Sequence, residues 1–159
     1  MSNINERGNS MKLIIAGTRG VTPTLGDIGC YLEHFNLNPT EIVSGCCLHS
    51  PDDSGSRYAF AKGIKTSHFP FKKGMGKGGG PARNREMAKH ADALLLIWDG
   101  QSRGSKNMKE EMVKLCKPVY EIGPEIYLWR QNVNENNGLD LKRSVATVLQ
   151  HMEKGHAKS

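Results

Sequence analysis

The chain has no apolar run approaching the ~18 residues that a membrane-crossing helix needs, so no bilayer span and no membrane partner are expected. Cysteine is scarce. There are four in 159 residues, two of them adjacent (Cys46 and Cys47), which is no disulfide framework and fits a reducing cytoplasm with the cysteines packed as small apolar residues. Aromatic residues make up only 6%, too few for an extended base-stacking platform. The first ten residues are polar and lack the apolar stretch of a secretory signal. They read as a disordered tail, with Met11 as an alternative start, followed by a single domain over 11–153 and a second tail over 154–159. No Walker A lysine motif is present, and no nucleophile elbow is expected. The six histidines are scattered and the Cys46–Cys47 pair has no CxxC partner, so neither a metal nor a cofactor is expected.

What the sequence does have is localised charge. The net charge is +6, and between Pro70 and His90 there are six basic residues (Lys72, Lys73, Lys77, Arg83, Arg85, Lys89) against one acid, Glu86. Five of the six net charges therefore sit in one short segment on a near-neutral body. Such a concentration suits a phosphate-bearing small ligand or a short stretch of nucleic acid. The plainer reading is a solvated lysine-rich loop.

Short apolar segments alternate with helical periodicity. Lys12 to Ala16, Glu41 to Ser44, Ile64 to Phe69, Ala91 to Trp98 and Pro118 to Ile122 read as strands. Between them, Leu25, Ile28, Leu32 and Phe35 fall on one helical face. A second helix is expected from a cap among Asp52, Asp53 and Ser54 to about Lys62, stopped by Gly63. Pro81 fits the first turn of a third helix reaching His90, and Ser105 the cap of a fourth, with Met108, Met112, Leu115 and Cys116 on one face. Glu110 and Glu111 are expected to face solvent. Gln131 to Gly138 reads as a polar linker before a last amphipathic helix from Asp140. This alternation predicts an α/β fold: a Rossmann-like three-layer sandwich with a mainly parallel sheet of about five or more strands. Either of the last two helices offers an apolar stripe to a homo-oligomer, although the simpler use of both stripes is to cover the sheet.

In an open parallel sheet, ligands bind beyond the carboxyl ends of the strands. The selected tips are Gly17-Thr18-Arg19-Gly20, Ser44-Gly45-Cys46-Cys47, the loop before Pro81, and Asp99 to Ser105. All are rich in glycine, hydroxyls or arginine, which suits anions at helix N-termini. Strand-to-helix loops need glycine in any case, and the weight lies in all four together. A formal G-x-G-x-x-G (Gly74, Gly76, Gly79) lies twenty residues before Asp99, but its first glycine is well past the strand, so a dinucleotide fingerprint is discounted.

Four segments carry a resemblance: KLIIAGTRG (Lys12 to Gly20), Ser44-Gly45, GPARNREMA (Gly80 to Ala88) and WDGQSRGSKNM (Trp98 to Met108). Together they resemble the YspA-like branch of the SLOG superfamily over about residues 12 to 122. These Rossmann-like domains are relatives of the Lonely-guy (lysine-decarboxylase-like) phosphoribohydrolases and of the DNA-processing protein A family. The resemblance implies a nucleotide-derived ligand. It implies that Gly17, Thr18 and Arg19 line the pocket floor and that Arg83 and Asn84 face the ligand from a helix start. Gly100, Ser102, Arg103, Gly104 and Ser105 would form a phosphate cradle beside Asp99, and Ser44 and Gly45 would complete the site. Asp52 matches an acidic residue after the second strand, although a longer Cys46 to Pro51 loop leaves Asp52 and Asp53 as alternatives. Met108 stands where the phosphoribohydrolases carry a catalytic glutamate.

Three functions follow as expectations. The leading one is binding of a nucleotide-derived small molecule through its phosphate and ribose. The second is hydrolysis of a nucleotide N-glycosidic bond, with Asp52 or Asp99 as the candidate carboxylate. The third, less favoured, is a nucleic-acid-binding module built on the basic segment.

Overall fold

Two segments, Lys12–Gly17 (β1) and Ala93–Ile97 (β4), are almost wholly apolar, and their place in the sheet explains why. The computed structural model describes residues 10–71, 74 and 76–133. In chain order the other elements are α1 (Leu25–His34), β2 (Glu41–Ser44), α2 (Pro51–Lys62), β3 (Lys65–His68), a 3-10 turn (Gly76–Gly78), α3 (Gly79–His90), α4 (Arg103–Lys114), β5 (Val119–Ile122) and α5 (Pro124–Val133). The strands stand in the order β3-β2-β1-β4-β5, and every pairing is parallel.

β1 and β4 form the centre, paired from Leu13↔Ala93 to Gly17↔Ile97. Alternate residues point to opposite faces of a strand. Leu13, Ile15, Ala93, Leu95 and Ile97 meet Ile28, Tyr31 and Leu32 of α1, Ala59 of α2, and Ile126 and Tyr127 of α5. On the other face Ile14, Ala16, Val43, Leu94 and Leu96 meet Met87 and Ala88 of α3 with Met108 and Met112 of α4. With both faces covered, no position on these two strands has to be polar. The chain is thus an α/β, three-layer, Rossmann-like domain.

Local chemistry sets the ends of the helices. Thr24 and Asp27 form a reciprocal capping box on α1, and Gly63, at φ 69°, ends α2. Four boundaries differ from the sequence expectation. Ser50, not Asp52 to Ser54, caps α2, because Pro51 fits the first helical position. Ser102, not Ser105, caps α4, so the helix starts nearly a turn earlier. α3 begins at Gly79, which places Pro81 third in the helix, still among residues whose N–H has no intrahelical partner. α4 stops at Lys114 and Cys116 turns away at φ 54°, leaving Leu115 and Cys116 exposed rather than on the buried face.

α5 was not expected. Pro124 and Glu125 after Gly123 were its start signals, and its last three residues belong to the segment read as a linker. Residues 134–138 and the helix expected from Asp140 lie outside the described residues, as do both tails apart from Ser10. Glu111 is buried, not solvent-facing. It lies 3.2 Å from Lys114 Nζ and 3.8 Å from Arg85 Nε. No helix among the described residues is long and apolar enough to cross a membrane. The apolar stripe of α4 is spent on the sheet through Met108 and Met112.

Two polar clusters tie α3 to the sheet. Lys117 Nζ donates to the carbonyls of Ala88, Ala91 and Lys89 at 2.8, 2.7 and 3.2 Å, satisfying the helix's C-terminal acceptors. Glu41, buried at the start of β2, receives hydrogen bonds from His90, from Ser67 Oγ at 3.0 Å and from Lys65 Nζ at 3.2 Å. Burial alone would raise its pKa. The bonds from His90, Ser67 and Lys65 outweigh that and hold the carboxyl below the usual glutamate range.

A group whose folded-state pKa is depressed stabilises above its unfolded value and loses that contribution as pH falls through the folded one. Glu41→Gln is therefore expected to cost about 1–3 kcal/mol in urea unfolding at neutral pH. The difference from the parent should shrink once the pH drops below the ordinary glutamate value of about 4.3. An undiminished difference at low pH would refute a charge-based role.

Candidate functional site

Strand order reverses between β1 and β4, and there a cavity of about 370 Å³ opens at the carboxyl ends of the strands. Its lining comprises Ala16, Gly17, Arg19, Cys47, Asp52, Arg83, Asn84, Met87, Ser102, Gly104, Ser105 and Met108. Eight of these are residues singled out from the sequence: Gly17, Arg19, Asp52, Arg83, Asn84, Ser102, Gly104 and Ser105.

Gly17 ends β1 under strict steric demand. A Cβ there would lie 1.8 Å from the Ile97 carbonyl oxygen and 2.7 Å from Pro51 Cγ. Beyond it, Thr18 and Asp99 join the tips of β1 and β4. The Thr18 hydroxyl donates to Asp99 Oδ1 at 3.1 Å and accepts from the Asp99 N–H at 3.1 Å. The same Asp99 oxygen accepts from the amides of Gln101 and Ser102 at 2.9 and 2.8 Å. Those two backbone bonds, helped by Thr18, hold the Asp99 carboxyl below the usual aspartate range. Thr18 and Asp99 therefore brace the rim and are not in the lining.

Asp52 and Arg83 form the charged wall. Asp52 Oδ2 accepts from the Gly45 N–H at 3.1 Å, Oδ1 accepts from Ser50 Oγ at 3.2 Å, and Arg83 Nη1 donates to the Gly45 carbonyl at 2.9 Å. Gly45 is thus clasped at both its amide and its carbonyl. A Cβ on it would come within 2.8 Å of Asp52 Oδ2 and 3.2 Å of Arg83 Cζ. Ser44, buried beneath, donates from Oγ to the Asp52 carbonyl and accepts the Cys46 N–H. The choice between adjacent aspartates is resolved: Asp52 lies in the cavity wall, while Asp53 pairs with Arg57 at 3.3 Å. Burial pushes the Asp52 carboxyl above its ordinary range, with the Arg83 charge and the Gly45 amide opposing it.

α3 and α4 meet across the cavity. Asn84 donates to Asn107 Oδ1 at 2.9 Å and to the Gly104 carbonyl at 3.3 Å, fixing the start of α4. Ser102 caps that helix. Ser105, buried one turn in, presents an Oγ with no hydrogen-bond partner among the described residues, and buried Arg83 Nε is likewise unpartnered. Arg103 and Gly100 lie outside the lining, Arg103 exposed at the start of α4 and Gly100 in a turn at φ 80°.

Sequence reasoning did not place Ala16 or Met87 in the lining, while Cys47 lay in a selected strand tip and Met108 was matched to the glutamate position of the phosphoribohydrolases. It gave Met87 no separate role and read Met108 also as part of an apolar helix face. It also passed over a formal G-x-S-x-G, Gly100 to Gly104, between β4 and α4. Ser102 there is a helix cap at φ −55°, its Oγ accepting from the Ser105 N–H, and not a nucleophile on a strained turn. The cysteines are free, and Cys46 and Cys116 are exposed, contrary to the expected packing role. Of the six basic residues, Arg83 lines the cavity and Arg85 pairs with Glu111. Lys72 and Lys73 lie outside the described residues.

A carboxyl whose folded-state pKa is raised weakens the fold at pH values above it. Asp52→Asn keeps an acceptor for Gly45 and removes the charge. Its Tm at neutral pH is expected to equal or exceed the parent's, with the two converging as the parent's Asp52 protonates on acidification. A clear loss of Tm at pH 7 would show that the charge is structural.

No protein-family model and no curated protein matches the chain. Among solved structures it is similar to DNA processing protein A (DprA) from Streptococcus pneumoniae, at a TM-score of 0.54 and 16% identity, covering 90% of this chain and 56% of that one. The chain therefore spans little more than half the length of that protein, and at this identity the likeness is one of fold.

Proposed function

We propose that the chain binds a nucleotide or nucleotide-derived small molecule, holding its phosphate and ribose at the carboxyl edge of the sheet. The observation that carries this reading is the pair Arg83 Nε and Ser105 Oγ. Both are buried, both lack a hydrogen-bond partner among the described residues, and their side chains line one cavity. Leaving such a group unsatisfied costs roughly 1–3 kcal/mol, a cost that an acceptor oxygen on a ligand removes when the side chain turns towards it. Arg19 adds a second guanidinium, and the start of α4 adds backbone amides suited to an anion. Asp52 is the carboxylate of the lining and suits ribose hydroxyls. The likeness to the YspA-like SLOG proteins supports the same ligand class, because the segments that carry it also supply most of the cavity's polar lining. In this proposal Gly17, Arg19, Asp52, Arg83, Asn84, Ser102, Gly104 and Ser105 touch the ligand. Thr18, Ser44, Gly45, Asp99, Gly100 and Arg103 shape or surround the rim. The four free cysteines support a cytoplasmic setting.

One observation favours a second reading, N-glycosidic hydrolysis. Asp52 is a buried carboxyl in the cavity wall with a raised pKa, as a general acid or base requires. Against it, Met108 contributes a thioether to the same wall where the resembled phosphoribohydrolases use glutamate. The name of the fold neighbour, a DNA processing protein, supports a nucleic-acid ligand, but the confinement of Arg83 to the cavity favours a small molecule.

Calorimetric titration with nucleoside mono- and diphosphates, NAD and ADP-ribose tests the proposal. At least one is expected to bind, and Ser105→Ala should weaken it about 3- to 10-fold, the loss of one neutral hydrogen bond. The same substitution should leave Tm unchanged or higher, since the hydroxyl has no partner among the described residues. Binding by none of these ligands would overturn the proposal. Release of free base from a bound nucleotide by the parent, abolished in Asp52→Asn, would establish the hydrolase reading. A steeply salt-dependent gel shift with DNA, without nucleotide binding, would establish the nucleic-acid one.

A further inference from the structure

The loop after β2 carries a thiol that the proposed site does not use. Cys46 is exposed, and its Sγ lies 3.4 Å from Nδ1 of His68, the last residue of β3. Parallel pairing sets this geometry, because Ser44↔His68 is the last register pair of the two strands and Cys46 follows two residues on. Cys46 adopts φ 61°, uncommon for a residue with a Cβ. Its N–H is held by Ser44 Oγ at 3.1 Å, and its Sγ also lies 3.8 Å from the Ser44 carbonyl. The sulfur is therefore held in place with an imidazole beside it.

We propose that Cys46 is a site of thiol–disulfide exchange in which His68 accepts the thiol proton. The thiolate, not the thiol, attacks a disulfide. Partial burial and the nearby Asp52 charge raise the Cys46 pKa, with the Phe69 backbone and Arg83 opposing, so the thiol is protonated at neutral pH. Attack then needs a base in contact, and His68 is one. Cys46 Sγ bonds to one sulfur of a low-molecular-weight disulfide such as glutathione disulfide, and the reagent's S–S bond breaks. The proton passes through His68 to the departing thiolate. Cys46 is oxidised to a mixed disulfide while half of the reagent is reduced to thiol. The adduct sits beside Gly45, whose carbonyl anchors Arg83, and beside Cys47 in the cavity wall. The exchange chemistry stands whether or not the cavity binds a nucleotide.

Cys116 provides an internal comparison. It is exposed, it too has a positive φ of 54°, and among the described residues its sulfur has no hydrogen bond. The full chain is incubated with glutathione disulfide at neutral pH, quenched with acid, and mapped by mass spectrometry, with fragment ions locating the adduct. Cys46 is expected to react roughly fivefold faster than Cys116, and His68→Ala should bring the two rates together. Equal rates in the parent, or a preference that survives His68→Ala in a variant of unchanged circular dichroism, would overturn the proposal. The parent ratio alone decides the first point should the variant fail to fold.

Discussion

The parallel seam between β1 and β4 governs the molecule. Five residues of each strand pair in register, every side chain of β4 is buried, and the chain passes to opposite sides of the seam on either flank. The reversal prevents the following loops from covering the strand ends, so a hollow forms without any dedicated element to build it. Gly17 keeps the seam closed up to its rim, where a methyl group would strike the Ile97 carbonyl. Thr18 and Asp99 then carry the junction one residue past the sheet with a reciprocal pair of hydrogen bonds. The walls of the hollow inherit their positions from this seam.

The fold was legible because its signals are local and repeated. KLIIA and ALLLIW read as doubly covered strands, and Gly63 marks a helix end by the rule of backbone conformation. Boundaries shifted where two caps competed. Ser50, followed by Pro51, caps α2 in place of Asp52, Asp53 or Ser54, and Ser102 caps α4 by accepting from the Ser105 N–H. α5 escaped notice because its apolar residues fall mostly in one run, Ile126 to Trp129, instead of at helical spacing, and an Asn-rich tract follows it. The polar cavity lining was legible for two other reasons: Gly17, Arg19, Ser102, Gly104 and Ser105 belong to tips selected at strand ends, and Asp52, Arg83 and Asn84 came through the resemblance. Of its apolar members the resemblance placed Met108, but Ala16 and Met87 were not legible. Met87 is also core, and only the three-dimensional packing shows that the same side chain borders a hollow. Glu111 shows the reverse: a charged residue on a helix is expected in water until cations close over it.

The site departs from the rest of the interior in how well its polar groups are satisfied. Glu41 is buried with three donors and is more acidic than usual. Asp52 is buried with fewer and is less acidic than usual, and nearby Arg83 Nε and Ser105 Oγ lack partners among the described residues. The contrast separates two uses of buried polarity within one small domain. Around Glu41 the network is complete and holds β2, β3 and α3 together. Around the cavity it is incomplete, and the fold bears that cost at the place where a solute could complete it.

The two ends of α3 are held unequally. Its rear is fastened by the Lys117 ammonium on three carbonyls, whereas its front begins at Gly78 with no side-chain cap and three glycines in a row. The unbraced part is short, because Arg83 fastens the helix to Gly45 and Asn84 fastens it to Gly104 and Asn107 within the next turn. The helix thus spans between two moorings, the Lys117 ammonium at its root and the Arg83 and Asn84 side chains at the cavity, with only the glycine turn outside them.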